Sequence, residues 1–405
     1  MKILQLCHKV PFPPVDGGCI AINNLTQGLT DEGNQVKILA INTAKHFTEL
    51  KKLPADYLAK TTIEAVYVDT NVKMIPAFLN LFTSRSYNID RFYSKEFEQK
   101  LVEVLKTQQF DIVHLESLYM SMYVKAIRDH SKAKIVLREH NIEHQLWERN
   151  ARLTKNPLKK FYLNLLAKRL KNYELNSLRT FDAIASITKE DETYFKKQKF
   201  DKPIETFPFG IDLKNINTSV SQKEEQPSIF HIGAMDWQPN TDGVNWFLKN
   251  VWPKIQGCYP NVKLYLAGRN MPDWLKQLKI KNVLVEGEIA DAHAFINSKS
   301  IMIVPLLSGG GMRVKIIEGM ALAKTIVSTG IGAEGIDYTN NKNILIADNA
   351  IAFAEAINKC ISDKVFCDEI GTNAKILATQ HYNNSDICKR LVKFYEQLTI
   401  NGQVS

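Results

Sequence analysis

The sequence predicts an α/β protein of two units, each a parallel sheet covered on both faces by helices. Three observations point there. Short apolar runs of strand length alternate with longer amphipathic stretches along the whole chain. The polar stretch 215–227 (NINTSVSQKEEQP), with its charge run and closing proline, reads as a loop or linker after which the alternation restarts. A chain of 405 residues is also too long for one ordinary core.

In the first half the strand candidates are Lys2–Cys7, Gln35–Ile41, Ile63–Val68, Asp111–Leu115, Lys134–Arg138 and Asp182–Ile187. Helical patterns cover Ile20–Leu29, Phe92–Thr107 and Leu158–Leu178. In the second half strands are expected at Ser228–Ile232, Val262–Ala267, Val283–Val285, Ser300–Pro305, Thr325–Ser328 and Ile344–Ile346. Their helical partners are Thr241–Ile255, Asp291–Ser298, Val314–Leu322, Asn349–Ile361 and Lys364–Ala378, followed by a last helix over Asp386–Leu398. The expected domains are 1–210 and 211–382, with 383–405 a C-terminal helix packing back toward the first. Two such units place a ligand in the cleft between them, at the carboxyl ends of the strands.

Composition narrows the function classes. The chain is 45% hydrophobic and 23% charged, as soluble globular proteins are. The N-terminal MKILQLCHKVPFPP stops at prolines and lacks the long apolar stretch of a signal peptide. No run approaches the roughly 20 apolar residues of a membrane span. The expected location is the cytoplasm, with peripheral attachment to the inner face of the membrane as the variant. Six cysteines without a CxxC pair read as reduced packing thiols. A net charge of +9 suits a nucleotide diphosphate or an anionic lipid surface. Nucleic acid fits poorly, because no compact basic cluster is interleaved with aromatics. The basic stretch from Lys155 to Lys171 has two readings: a surface that lies on an anionic membrane, or a solvated helix face, which is preferred.

The strongest chemical signal runs from Val304 to Ala321 (VPLLSGGGMRVKIIEGMA). An apolar strand ends in Ser308, Gly309, Gly310, Gly311 and Met312, and a helix follows at once. Glycines let backbone N–H groups approach an anion, and a helix N-terminus adds about half a positive charge. Arg313 and Lys315 add side-chain donors in the expected first turn, which suits a diphosphate. Glu318 lies one to two turns further on, where a carboxylate can accept both hydroxyls of a ribose. The segment is neither a P-loop, lacking the GK[ST] ending, nor a GxGxxG fingerprint, since Val314 replaces the last glycine.

This run resembles the donor-binding segment of the retaining glycosyltransferases of family 4 (glycosyl transferases group 1), which have the GT-B fold. The resemblance extends to IFHIGAMDWQPNTDGVNWF (229–247), VKLYLAGRNMP (262–272), VLVEGEIADAHAFINSKSIMIVPL (283–306) and TIVSTGIGAEGI (325–336). In the first half it covers HKVPFPPVDGGCIAINNLTQGL (8–29), DIVHLE (111–116), EHNIEHQLWERNA (139–151) and FPFGIDLKNI (207–216). It implies two Rossmann-like parallel-sheet domains facing a central cleft, the first binding the acceptor and the second a nucleotide diphosphate-sugar. That donor is a co-substrate, so no cofactor is implied. Glu318 resembles the second glutamate of the family's E-x7-E element, which binds the donor ribose. Gly17 and Gly18 resemble the loop after the first strand that lies over diphosphate and sugar. His140 resembles the histidine that contacts the transferred sugar near its anomeric centre. Gly233 marks the loop opening the second domain, and Gly268 and Arg269 follow a strand that frames the nucleotide. Glu116 and Glu143 are acceptor-side candidates.

Two departures from the family pattern stand out. Gly310 occupies the position of the first E-x7-E glutamate, and Ala234 and Pro239 replace the usual Arg and Lys after Gly233. Arg313 and Lys315 are the expected replacement for that charge. His140, Glu143 and His144 also spell H-x-x-E-H, a zinc-peptidase pattern. Asn141 is well placed as an N-cap, which would leave His140 outside the helix carrying the other two. No metal is therefore expected, and the absence of any D-x-D agrees.

The expected reaction is metal-independent sugar transfer with retained configuration to a glycan or lipid-linked glycan, in surface polysaccharide or glycoconjugate synthesis. His140, Arg313, Lys315 and Glu318 carry the catalytic site in this reading. The alternatives are a nucleotide-sugar epimerase of the same architecture, a non-catalytic nucleotide-sugar-binding relative, and a nicotinamide oxidoreductase, which the missing G-x-G-x-x-G disfavours.

Overall fold

The computed structural model describes residues 1–214, 216 and 225–400. The chain forms two compact units. One comprises Met1–Phe209 with the C-terminal segment from Ser385, and the other Gly210–Asn384.

The first unit holds a seven-stranded, all-parallel sheet. Its strands are β1 (Lys2–Cys7), β2 (Gln35–Thr43), β3 (Glu64–Val68), β4 (Ile112–Glu116), β5 (Lys134–Glu139), β6 (Ala183–Ser186) and β7 (Ile204–Thr206), in the order β3-β2-β1-β4-β5-β6-β7. β1 pairs on one side with β2 (Ile3↔Val36) and on the other with β4 (Ile3↔Ile112). The strand order therefore reverses between β1 and β4. Central strands are mostly apolar because helices bury both faces. One face packs Leu4, Leu39, Val113 and Leu137 against Phe97, Leu101 and Ile127. The other packs Ile3, Ile38 and Val136 against Ile22 and Leu25, and against Ile387, Leu391 and Tyr395 of the Asn384–Ile400 helix.

The second unit holds a six-stranded parallel sheet. Its strands are β8 (Glu225–Ile232), β9 (Lys263–Ala267), β10 (Val283–Gly287), β11 (Lys299–Val304), β12 (Thr325–Ser328) and β13 (Leu345–Ile346), in the order β10-β9-β8-β11-β12-β13. Here the order reverses between β8 and β11. Its core joins Ile229, Leu264, Ile303 and Val327 to Phe247, Trp252, Phe353 and Ile357.

Several expectations change in detail. Most of the polar stretch 215–227 lies outside the described residues, and its last three residues begin β8 rather than ending a loop. The helix expected over Thr241–Ile255 starts at Gln238, passes through a π turn at Phe247–Val251, and resumes at Trp252–Cys258. The π turn precedes Pro253, which has no N–H for a regular helical bond. Ser94 caps the Lys95–Thr107 helix by accepting from Phe97 N, which shortens the pattern expected from Phe92. Strand β7 and the short helices Ala55–Thr61 and Met74–Asn80 were not expected. All six cysteines are free, and all but Cys258 are buried.

Candidate functional site

In a doubly wound sheet the loops flanking the reversal of strand order diverge and leave a crevice at the carboxyl edge. Each unit concentrates its polar side chains there.

In the second unit the two flanking loops follow β8 and β11. The β11 loop runs from Pro305 to Arg313, and its Gly309 and Gly311 have φ of +110° and +78°, conformations that favour glycine. The Val314–Ala321 helix starts directly after it. Arg313 is the N-cap residue, not a first-turn donor. Its guanidinium folds back onto the loop, donating through Nη1 to the carbonyls of Gly310 and Gly311 and lying 5.1 Å from the Trp237 ring centroid. With only 6% of its surface exposed, Arg313 holds the glycine turn from beneath. This corrects the expectation that it lies in the first turn of the helix. Met312 is also buried, while Ser308 and Gly310 are half-buried.

Lys315 reaches under the β8 loop, where its Nζ donates to Ile232 O (3.2 Å) and Asn240 Oδ1 (2.9 Å). A Cβ on Gly233 would stand 3.0 Å from that Nζ. Burial, aided by the nearby Arg313 charge, brings the lysine down to about 7. The Lys315 cation thus stands beside the loop in which Ala234 and Pro239 replace the family's basic residues. Gly268 backs this loop closely enough that a Cβ there would meet Gly233 O at 1.8 Å. Arg269 O accepts from Met235 N at 3.0 Å, which pins the same loop.

Glu318 sits one turn into the helix, half-buried. Among the described residues its carboxylate has no hydrogen bond and no ion pair. Burial alone pushes it up to about 7.

In the first unit the carboxyl edge of β1, β4 and β5 carries a connected cluster centred on Glu116, which is fully buried. Its Oε1 accepts from Gln5 Nε2 (2.7 Å) and His114 Nε2 (2.9 Å), and its Oε2 accepts from His140 Nε2 (2.7 Å). Burial works against the charged form, but attraction and hydrogen bonds from His114 and His140 outweigh it and hold the carboxyl well below its usual range. His8 donates from Nδ1 to the Glu116 carbonyl at 2.8 Å. Burial, with Lys9 and His140 nearby, brings His8 down to about 3. Burial also lowers His140, whose ring lies 6.1 Å from His8 and 5.5 Å from Phe209. A neutral His140 that donates through Nε2 keeps Nδ1 as a lone pair. Ser117 follows Glu116 with φ of +92°, a strained conformation at the same edge.

Glu116 and His140 are therefore brought together, with Glu116 beneath the histidine rather than exposed to an acceptor. Glu143 lies apart: it is buried, accepts from Tyr119 Oη at 2.8 Å, and is pushed up to about 7 by burial, with Glu174 adding to the shift. Gly17 and Gly18 are not in the loop after β1 but open the Gly17–Asp31 helix. Asp16 caps that helix by accepting from Cys19 N and pairs with Lys9 at 2.8 Å. A Cβ on Gly18 would stand 2.7 Å from Lys9 Nζ, so the glycine leaves room for that pair.

The H-x-x-E-H residues have separate partners. His140 bonds Glu116, Glu143 bonds Tyr119, and His144 bonds Glu174. The N-cap of the Glu143–Leu153 helix is Ile142, not Asn141, and the Glu174 carboxylate accepts from Glu143 N (2.9 Å) and His144 N (3.2 Å) in place of a capping side chain. Among the described residues no group of three His, Cys, Asp or Glu is arranged to hold a metal ion, and no helix is long and apolar enough to cross a membrane.

Sequence reasoning missed Gln5, His8, His114 and Trp237. A signal existed for three of them. A polar residue inside an apolar run of a doubly covered sheet needs a buried partner, and Gln5 and His114 interrupt KILQLC and IVHLE. His8 follows β1 directly, on the flank of the reversal.

Comparison with known proteins agrees with this architecture. The model of Glycosyltransferase Family 4 matches residues 15–215, and that of Glycosyl transferases group 1 matches residues 226–363. An uncharacterized 44.6 kDa protein in the cps region of Klebsiella pneumoniae is 23% identical over 416 residues, spanning 97% of this chain and 99% of that protein. Sucrose-phosphate synthase from Thermosynechococcus elongatus superposes with a TM-score of 0.70 at 15% identity, covering 99% of this chain and 100% of that one. Anabaena HepE, solved with UDP, superposes with a TM-score of 0.65 at 15% identity, covering 98% and 100%. Its complex with UDP-glucose gives 0.64 at 14% identity over the same shares. Both units have their counterparts in the two family models, and the parallel-sheet pair is that of the solved structures, so the chain belongs to the family 4, group 1 glycosyltransferases of GT-B fold.

Proposed function

We infer that this glycosyltransferase takes its sugar from a nucleotide diphosphate donor held by the second unit. It transfers that sugar with retained configuration, without a metal, to a glycan or lipid-linked glycan in surface polysaccharide assembly. The observation that carries the reading is Glu318: a half-buried carboxylate without a partner among the described residues, beside a glycine turn at the reversal of strand order. Its acceptor oxygens suit the two hydroxyls of a ribose. The glycine turn, Lys315 and the start of the Val314–Ala321 helix suit the diphosphate. Arg269, whose guanidinium makes no hydrogen bond or ion pair among the described residues, is a further cation at the end of β9. The UDP and UDP-glucose complexes of HepE support such a donor, and the cps-region relative supports a polysaccharide product.

As the glycosidic bond breaks, negative charge grows on the leaving diphosphate. The preset amides and Lys315 stabilise it without reorganising. Metal independence rests on this provision. His140 offers its Nδ1 lone pair to a donor-sugar hydroxyl, with Glu116 holding the ring by Nε2–H. Retention rests on the family resemblance.

A melting-temperature panel of nucleoside diphosphates and their sugars, run on wild type and Glu318→Ala, tests the donor site. One base is expected to stabilise wild type, with the effect reduced in the variant. A cooperative melt that no nucleotide shifts would count against it. Transfer assays with the identified donor should then survive EDTA and yield product of unchanged anomeric configuration by NMR. His140→Ala is expected to lower turnover by about 100-fold, with a lowered melting temperature because Glu116 Oε2 loses its donor. Donor conversion without any acceptor would favour an epimerase.

A further inference from the structure

The first unit carries apolar surface that its own core does not use. The Met74–Asn80 helix reads MIPAFLN, and of its seven residues only Asn80 is buried. Met74 is 86% exposed, Ile75 74% and Phe82, just beyond, 78%. A helix apolar on nearly every side is normally covered. The start of the Pro157–Ser177 helix repeats the pattern. Leu158 is 82% exposed and Phe161 71%, and burial begins only at Leu166. The two stretches adjoin: Arg169 Nη1 donates to Asn80 O (2.7 Å) and Asn80 Oδ1 (2.9 Å), and its Nη2 to Leu81 O (2.9 Å).

Charge around the start of the Pro157–Ser177 helix has one sign: residues 149–173 contain eight Lys and Arg and no Asp or Glu. Beside the Met74–Asn80 helix, Lys73 and Arg85 are paired with Asp69 and Asp90. Lys155, Lys159 and Lys160 are exposed and take part in no ion pair among the described residues. Apolar side chains flanked by unpaired cations match the section of a bilayer, where anionic headgroups lie above hydrocarbon. A second copy of this chain fits worse, because pairing the face with itself would bring like charges together.

We propose that this face of the first unit docks on an anionic lipid bilayer, with Met74, Ile75, Phe82, Leu158 and Phe161 entering the headgroup boundary and Lys155, Lys159 and Lys160 contacting lipid phosphates. This differs from the solvated-face preference for the Lys155–Lys171 stretch, and what supports it is that the helix start displays Leu158 and Phe161 among its lysines. The interaction is independent of donor binding and of transfer.

Vesicle co-sedimentation at low salt tests it, with neutral phosphatidylcholine vesicles compared with vesicles containing phosphatidylglycerol. Wild type is expected to sediment with the anionic vesicles and to be largely released by salt. Ile75→Ser/Phe82→Ser and Leu158→Ser/Phe161→Ser should each weaken that binding about tenfold at unchanged melting temperature. Lys159→Glu/Lys160→Glu should weaken it comparably. Failure of wild type to bind anionic vesicles overturns the proposal, as does binding that neither apolar pair weakens. Dimers in sedimentation velocity that either serine pair dissociates would assign the face to a second copy instead.

Discussion

The polar clusters at the two carboxyl edges are built on opposite plans. In the first unit every oxygen of Glu116 is engaged: Gln5, His114 and His140 share its carboxylate, and His8 takes its carbonyl. In the second unit Arg313 and Lys315 turn inward to loop carbonyls and to Asn240, while the Glu318 carboxylate has no partner among the described residues. The Glu116 carboxylate is satisfied without a ligand and fixes the His140 ring through Nε2. The second cluster leaves the Glu318 carboxylate unmatched, and burial raises its titration. A satisfied network positions a group, whereas an unsatisfied one awaits a ligand.

Removing the two glutamates should separate these plans most sharply. Glu116→Ala leaves Gln5 and two histidines with buried, unmatched donors and is expected to cost about 3 kcal/mol or more in unfolding free energy. Urea titration would measure it, and an unchanged midpoint would break the comparison. Glu318→Gln should act in the opposite direction. The folded carboxyl titrates at about 7 against an ordinary 4.5, so the folded state favours the protonated form. The penalty for ionising it is absent below the unfolded value, grows as pH rises between the two, and is complete above about 7. The glutamine variant should therefore be more stable than wild type by about 2 kcal/mol at pH 8 and indistinguishable at pH 4. Nucleotide affinity should fall about tenfold at the same time.

A smaller effect refines the picture through pH. Ribose hydroxyls favour ionised Glu318, so affinity should rise as pH increases toward 7. A diphosphate favours charged Lys315, so affinity should fall as pH increases beyond 7. Calorimetric titration is expected to give a maximum near neutrality, changing severalfold over one pH step on either side. Glu318→Gln should flatten the acid limb and Lys315→Met the alkaline one. A profile without limbs would mean that neither group meets the ligand.

The strands and the glycine turn were legible because they are local. Apolar runs such as KIVLR and SIMIV announce parallel strands wherever they fall. Gly309–Gly311 between a strand and a helix states its conformational purpose in composition alone. The direction of the Arg313 guanidinium was not legible, since it depends on carbonyl orientations that positive φ values at Gly309 and Gly311 create. Nor was the Glu116 hub, because its Gln5 bond spans 111 residues and no periodicity encodes such a meeting. The cap of the Glu143–Leu153 helix failed for the same reason: Asn141 is a good local candidate, but a carboxylate 31 residues away accepts from Glu143 N.

The Asn384–Ile400 helix has a consequence for biosynthesis. Tyr395 bonds His114 across a separation of 281 residues, and Ile387, Leu391 and Tyr395 close the face of the sheet that Ile3 and Ile22 begin. The second unit is synthesised whole before that helix is made. The earlier sheet must wait with one side open, its Glu116 cluster lacking the tyrosine that braces His114. Chains truncated before residue 385 and released from the ribosome should therefore expose that sheet to proteases and chaperones while the second unit resists them.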